Sequence, residues 1–496
     1  MPTIFSKKKL GKNRLDGFYE TPIKTVEYMS QKILDKISNK TKICDPCVGD
    51  GVFLKYLRDQ GISQKQLFGY DINKLKVQSL NKNFKNVELF DSTKKFKEKF
   101  DIIIGNPPYA GDESYFIREN RKRLEVDYKQ IKAKNLFSMI SYNCINNLNP
   151  GGYFVKILSD AFLTNIYYKQ FREFLLSELD ILEICLTPRS LFKHINADVG
   201  TCILFGRKKS ITDIVFNNWK KKNNNRIKLI DRMISESEYL SNTKTEWIYQ
   251  DVIKKYPNSQ ILIGISKEIR ELYLNSNTKL GDIAEGGTGI STGKDKLYLK
   301  RTNEIKKNKF SWVPYYKNAA RAKYFYKPVF SIEKNYKKYH KKIPNYLIRN
   351  EKFFFKEGIT CSSVGVRFSA AYMPKGGLFG VNANFFFKDR DDLFYVLAFL
   401  NSKIAWYFAR KVLIRTNNIS ANYLRKMPII FPSNNKDKKY IVKKTIQMIE
   451  NLKLDNNFST SLFESEMNSL FYKIYKINNS DKNKIERFSR NFYEEL

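Results

Sequence analysis

The sequence predicts an α/β chain built on a mostly parallel sheet, and three observations carry that expectation. Short apolar runs alternate with helix-like segments over residues 42–207, the pattern of strand–helix–strand units. Asp45-Pro-Cys-Val-Gly-Asp-Gly51 follows the first apolar run and opens a helix pattern. The run Phe100-Asp-Ile-Ile-Ile-Gly-Asn106 stops at Asn106-Pro107-Pro108-Tyr109. Neither proline donates to a ladder, and each disfavours helix in the residue before it.

Taken in order, the predicted strands are Lys42–Pro46, Leu67–Ile72, Val87–Asp91, Phe100–Asn106, Tyr153–Ser159, Ile181–Leu186 and Thr201–Gly206. Helical spacing of apolar residues marks Gly51–Asp59, Leu75–Phe84, Leu136–Leu148 and Tyr168–Glu178. Pro150-Gly-Gly152 is a turn before the fifth strand. Lys220–Arg226 and Ser235–Thr245 are polar breaks. From about residue 260 the pattern becomes irregular and aromatic-rich. Pro432–Lys438 reads as a linker, and residues 440–490 read as amphipathic helices.

Composition narrows the class. A chain of 496 residues implies two or three domains. No apolar run approaches the ~20 residues of a membrane span, and the N-terminus has no signal-peptide core. Six cysteines in this length do not make a disulfide framework, so a reducing cytoplasm is expected. The net charge of +39 implies a polyanionic partner, nucleic acid before membrane. Codon bias towards Lys does not account for only 50 acids against 89 bases. The basic surplus concentrates in residues 294–342, with 16 Lys or Arg, three acids (Asp295, Glu304, Glu333) and 11 aromatics, among them Trp312, Tyr315, Tyr316 and Tyr324.

Ligands of open α/β sheets bind at the carboxyl ends of the strands. Three acids stand there in succession: Asp45, Asp71 and Asp91. Glycines at Gly49 and Gly51 let a ligand approach the backbone, while Asp45 and Asp50 argue against a pyrophosphate. Asp71 is placed for two ribose hydroxyls and Asp91 for an adenine amine. A nucleoside with a cationic centre and no phosphates, S-adenosylmethionine, fits that set. At the fourth strand end, the Asn106 amide, the Pro107 carbonyl and the Tyr109 ring suit a planar base with an exocyclic amine. Cys44-x-x-Cys47 has no second Cys or His pair at zinc spacing, and His194 and His340 are the only histidines, so no metal site is expected.

These motifs, in this order, resemble the γ-class amino-methyltransferases of DNA, the TaqI-like N6-adenine family. Gly17-Phe-Tyr-Glu-Thr21-Pro22 resembles the N-terminal cofactor motif, Asp45–Gly51 the glycine loop, and Asn106–Tyr109 the catalytic loop. Lys134-Asn-Leu-Phe137, Pro150–Gly152 and Leu191-Phe192-Lys193 with Val199–Phe205 also match, as do Gly286–Gly293 and Asn417–Asn422 more loosely. Cys47, Val48 and Ser159 depart from the usual residues without touching a charged or reacting position. The resemblance implies a seven-stranded S-adenosylmethionine-dependent methyltransferase fold over 14–250, a mixed α+β DNA-recognition domain over 251–432 and a helical segment over 433–496. It implies cofactor contacts from Thr21, Asp45, Cys47, Gly49, Gly51, Asp71, Ile72, Asp91, Asn106 and Pro108. Asn106, Pro107, Tyr109 and Phe192 are the implied catalytic set, acting on an adenine flipped out of double-stranded DNA.

Rival readings are a bifunctional restriction-modification enzyme, an RNA or cytosine-N4 methyltransferase, a protein-glutamine methyltransferase and a non-enzymatic DNA-binding protein. Only 16 residues precede the first motif, and Glu304-Ile-Lys306 is the sole Glu-x-Lys. A separately encoded endonuclease is therefore the expected context. The helix pattern around Glu464–Ile477 is expected to cap the recognition region.

Overall fold

The computed structural model describes residues 19–192, 199–210, 212, 213, 215, 225–241, 244–305, 311–317, 322–340, 342–362, 367–415 and 419–491. Gly17, Phe18, Lys193, His194, Lys306, Asn417 and Asn418 lie outside them. Met1–Gly264 and Ile265–Phe492 form two compact units.

The first unit is built on a nine-stranded sheet of order β3-β2-β1-β4-β5-β7-β6-β8-β9. Its strands are β1 Ile43–Asp45, β2 Leu67–Asp71, β3 Asn86–Leu89, β4 Phe100–Gly105, β5 Leu148–Ser159, β6 Leu179–Leu186, β7 Thr201–Lys208, β8 Arg226–Ile230 and β9 Thr245–Tyr249. β1 pairs parallel with β2 and β4, with Ile43 opposite Leu67 and Ile102. β7 is antiparallel to both β5 and β6. The mostly parallel seven-stranded expectation holds for β1–β7. The sheet continues past it, because β8 pairs parallel with β6 and β9 antiparallel with β8. Both added strands adjoin the polar breaks, where charges such as Arg226, Lys228 and Glu246 hide their alternation.

The central strands read as continuous apolar runs because both faces are covered. Ile102, Ile104, Val155 and Ile157 pack with Val26, Phe53 and Leu57 from the flanking helices. Helix starts follow local capping. Asn73 accepts from the Leu75 and Lys76 amides, and Asn135 accepts from the Ser138 amide at the head of helix Leu136–Asn146. Helix Tyr115–Asp127, capped by Ser114, was not expected, because its charge-rich sequence shows only a weak apolar face.

The second unit holds a five-stranded sheet, a four-stranded sheet and helices that include Arg390–Leu400, Asn435–Leu454, Ser461–Ile474 and Asn479–Arg490. Its aromatics are core residues. Tyr315, Tyr316 and Tyr324 are buried, and Tyr315 and Tyr316 pack with Ile332, Tyr336 and Phe379. The aromatic interleaving of the basic segment therefore builds an interior rather than an open stacking surface. Gly286 sits in a strand opposite Phe385, where a Cβ would lie 2.1 Å from the Asn384 carbonyl oxygen. Close strand packing thus accounts for that glycine. Met467 and Phe471 on Ser461–Ile474 are buried, with Phe471 5.4 Å from Phe399.

Candidate active site

β4 delivers Asn106 to the carboxyl rim of the sheet. Gly105 precedes it at φ +141°, and a Cβ there would lie 2.2 Å from Asp45 Oδ1. The close approach of β4 to β1 sets Asp45 against Gly105, the residue before Asn106. The Asn106 side-chain amide donates to the Tyr19 carbonyl at 3.0 Å and to Thr21 Oγ1 at 3.1 Å. Those two bonds orient the amide and leave its oxygen as the forward acceptor. The Tyr109 hydroxyl holds that oxygen at 2.6 Å. Burial raises the Tyr109 hydroxyl well above the usual phenol range, so it remains a donor.

Three rings meet beside the amide. Tyr19 stacks on Tyr109 at 5.6 Å and 28°, and lies 5.3 Å from Phe192. Phe192 is fully buried against Tyr19, Tyr109, Leu191 and Val199. It follows β6, and the Thr187 carbonyl in this loop accepts from Arg232 at 2.6 Å. Arg232 also forms a buried ion pair with Asp160. The chain leaving β8 thereby braces the loop that carries Phe192.

A cleft of about 260 Å3 is reached by the same loop through Pro108, whereas Asn106, Thr21, Asp45, Gly49 and Gly51 are not among its lining residues. Cys47, Asp71, Ile72, Asp91 and Pro108 line it, with Phe90, Phe116 and Asn120 among the other walls. Five sequence-predicted residues thus share one cavity. Ile72 is half-exposed there and offers a flat apolar face. Gly49 and Gly51 adopt φ +54° and +79° at the turn into helix Val52–Asp59. Asp71 accepts the Gly49 amide at 2.9 Å and the Asn73 amide at 2.8 Å, so it fastens the glycine loop as well as facing the cleft. Asp50 is exposed and paired with Lys76, apart from the cleft lining. Asp91 accepts from the Thr93 amide and hydroxyl and from Arg123 at 3.1 Å.

Asp45 is buried and accepts the Cys47 amide at 3.1 Å. Burial pushes its carboxyl up to about 6, against the opposing pull of Lys156. Lys156 is fully buried in β5 and donates to the Ile104 carbonyl at 3.3 Å. Lys156 is the single charge inside the apolar run Tyr153–Ser159, a local signal of a buried role. Tyr19 lies inside Gly17–Pro22, and nothing local in the sequence marks Arg123. Among the described residues, no group of three or more His, Cys, Asp or Glu is arranged to hold a metal ion, and no helix is long and apolar enough to cross a membrane.

The arrangement presents an oriented amide acceptor, a packed cluster of three rings beside it, and a cleft lined by Asp71 and Asp91. A family model described as Eco57I restriction-modification methylase matches residues 28–192. The chain is 25% identical over 391 residues to the adenine-specific methyltransferase BrxX of Escherichia coli O9:H4 (strain HS), covering 73% of this chain and 30% of that protein. It is 25% identical over 345 residues to the adenine-specific methyltransferase PglX of Lacticaseibacillus casei (strain Zhang), covering 62% and 28%. The chain thus spans less than a third of the length of these curated relatives. Its fold is similar to that of a nuclease-deletion mutant of the Type ISP restriction-modification enzyme LlaGI, solved with a DNA substrate mimic. There the TM-score is 0.58 at 15% identity, over 90% of this chain and 57% of the other.

Proposed function

From the match of residues 28–192 to the Eco57I restriction-modification methylase model, we propose that the chain is a site-specific DNA adenine-N6 methyltransferase using S-adenosylmethionine. The observation that carries this reading is the Asn106 amide, oriented by Tyr19 and Thr21 in the loop whose Pro108 lines the cleft with Asp71 and Asp91.

The cleft suits the cofactor by its hydrogen-bond acceptors. Its carboxylates match ribose hydroxyls, an adenine amine and a cationic centre, and Ile72, Phe90 and Phe116 supply apolar faces for a purine. Asp71, Ile72, Asp91, Cys47 and Pro108 would hold the nucleoside, with Asp45, Gly49, Gly51 and Thr21 towards the amino-acid end. When bound, S-adenosylmethionine supplies an electrophilic methyl group.

This chain's residues prepare the nucleophile. Asn106 Oδ1 and the Pro107 carbonyl accept the two hydrogens of the target amine, which disfavours its conjugation with the ring and exposes the lone pair. Tyr109, Phe192 and Tyr19 enclose the extruded base, whose removal from the stack costs a few kcal/mol. Positioning and electrostatics supply the acceleration without a strong general base. Double-stranded DNA is the proposed partner, bound through the basic surface around residues 294–342. The chain acts in the cytoplasm as the modification enzyme of a restriction-modification system, with a separately encoded endonuclease.

Long-read sequencing of DNA from a methylation-free host expressing the chain tests the reading. Modified adenine within one sequence motif supports it. N4-methylcytosine would reassign the base, and unmodified DNA with folded protein present would sink the assignment.

A further inference from the structure

Helix Tyr115–Asp127 forms one wall of the cofactor cleft through Tyr115, Phe116, Glu119 and Asn120. One residue of that helix, Arg123, reaches across to the end of β3. Its guanidinium donates to Asp91 Oδ2 at 3.1 Å, to Thr93 Oγ1 at 2.9 Å and to the Thr93 carbonyl at 3.2 Å. The other Asp91 oxygen is taken by the Thr93 amide at 2.9 Å and the Thr93 hydroxyl at 2.6 Å. The carboxylate facing the cleft is therefore held by donors on both oxygens. Each oxygen accepts along more than one lone-pair direction, so Oδ2 retains acceptor capacity beside the arginine. A planar guanidinium fixes that direction far better than a single ammonium.

The backbone around Asp91 has its own supports. Asn143 Nδ2 donates to the Ser92 and Lys94 carbonyls at 3.1 Å each. The Ser92 hydroxyl donates to the Pro46 carbonyl, and the Tyr128 hydroxyl donates to the Thr93 carbonyl at 2.7 Å. The loop thus has supports besides Arg123, and what Arg123 alone adds is the bond that orients Asp91 Oδ2.

We propose that Arg123 is a specificity-determining positioning residue, aiming the free lone pair of Asp91 at the 6-amino group of the bound purine, an inference that rests on the cofactor reading above. Arg123 touches Asp91 and Thr93 across the cleft wall, and Asn120 and Asp127, each at 3.5 Å, on its own helix. Its effect is to make the cleft select an aminopurine over a purine without the amine. A purine without the amine forgoes one charge-assisted hydrogen bond to Asp91, so selectivity reports the carboxylate's aim directly.

The test is calorimetric titration of the full chain with S-adenosylhomocysteine and with its analogue bearing hydrogen in place of the 6-amino group. The wild type should prefer the adenine compound by at least about tenfold, the scale of one charge-assisted hydrogen bond. Arg123→Gln should reduce that preference to about threefold or less, by weakening the adenine compound while leaving the analogue nearly unchanged. Arg123→Lys should restore part of it. Thr93→Val, which removes a shared partner, should act in the same direction if Arg123→Gln fails to fold. Equal loss of both ligands would make Arg123 a mere wall support, and undiminished preference would show that Asp91 needs no arginine. Either result overturns the proposal. A wild type that binds neither compound would instead overturn the cofactor reading itself.

Discussion

The Tyr109 hydroxyl donates to Asn106 Oδ1 at 2.6 Å, so the acceptor proposed for the target amine already carries one hydrogen bond. The ring and the amide act as a unit: an amine entering the site meets an oxygen that is oriented and partly engaged. Asn106→Ala should therefore lower single-turnover methylation by about 10³-fold, the scale of one preorganised polar group. Cofactor affinity, read by calorimetry, should stay within about threefold. Tyr109→Phe keeps the ring and frees the oxygen, so it should retain most turnover, whereas Tyr109→Ala should lose about a hundredfold with the stacking face. Near-native turnover in Asn106→Ala would remove that residue from the mechanism.

Gly105 admits no side chain. Its φ of +141° and the 2.2 Å approach of Asp45 Oδ1 both oppose a Cβ. Gly105→Ala should destabilise the fold by about 2 kcal/mol or more through strain and displacement of Asp45. The thermal midpoint and cofactor affinity should fall together. A variant with an unchanged midpoint would mean that the two strand ends separate freely.

The residues legible in the sequence were those whose chemistry is local. Asn106 declared itself because two prolines stop a strand beside it, and Gly49 and Gly51 because a turn into a helix needs them. Tyr19 and Arg123 are long-range partners, reaching Asn106 and Asp91 from 87 and 32 residues away, and no spacing rule encodes such pairings. β8 and β9 were hidden for a related reason. Their outward charges gave the composition of a loop, and only pairing of β8 with β6 and of β9 with β8 makes them strands. In the second unit, Tyr315 and Tyr316 have the composition of a nucleic-acid surface but fill the core.

That interior burial leaves the lysines and arginines as the surface of the basic segment. Lys294, Lys296, Lys300, Arg301 and Lys334 are exposed, and Lys300 lies 4.9 Å over Trp312. A Lys296→Ala, Arg301→Ala, Lys334→Ala triple variant should weaken duplex binding across all sequences. The slope of log K against log salt should flatten by roughly 0.9 for each phosphate that the variant no longer neutralises. Fluorescence anisotropy over a salt series measures both. An unchanged slope would place the DNA elsewhere.

Asp45 ties pH to both cofactor binding and stability, with opposite signs. Burial raises its carboxyl from 3.8 to about 6, so the folded protein holds this proton more tightly than the unfolded chain does. Its contribution to stability is fully present below pH ~4 and is lost as pH rises through about 6. At neutral pH the ionised carboxylate therefore strains the fold, and Asp45→Asn should melt higher than the wild type at pH 7.5, with the gap closing by pH 4. Attraction for a cationic ligand needs the ionised form. Affinity for S-adenosylmethionine should therefore rise between pH 5 and 7 in the wild type and stay flat in Asp45→Asn. Calorimetry and thermal melting across that range check the two trends, and parallel pH profiles for the two proteins would show that Asp45 titrates outside this window.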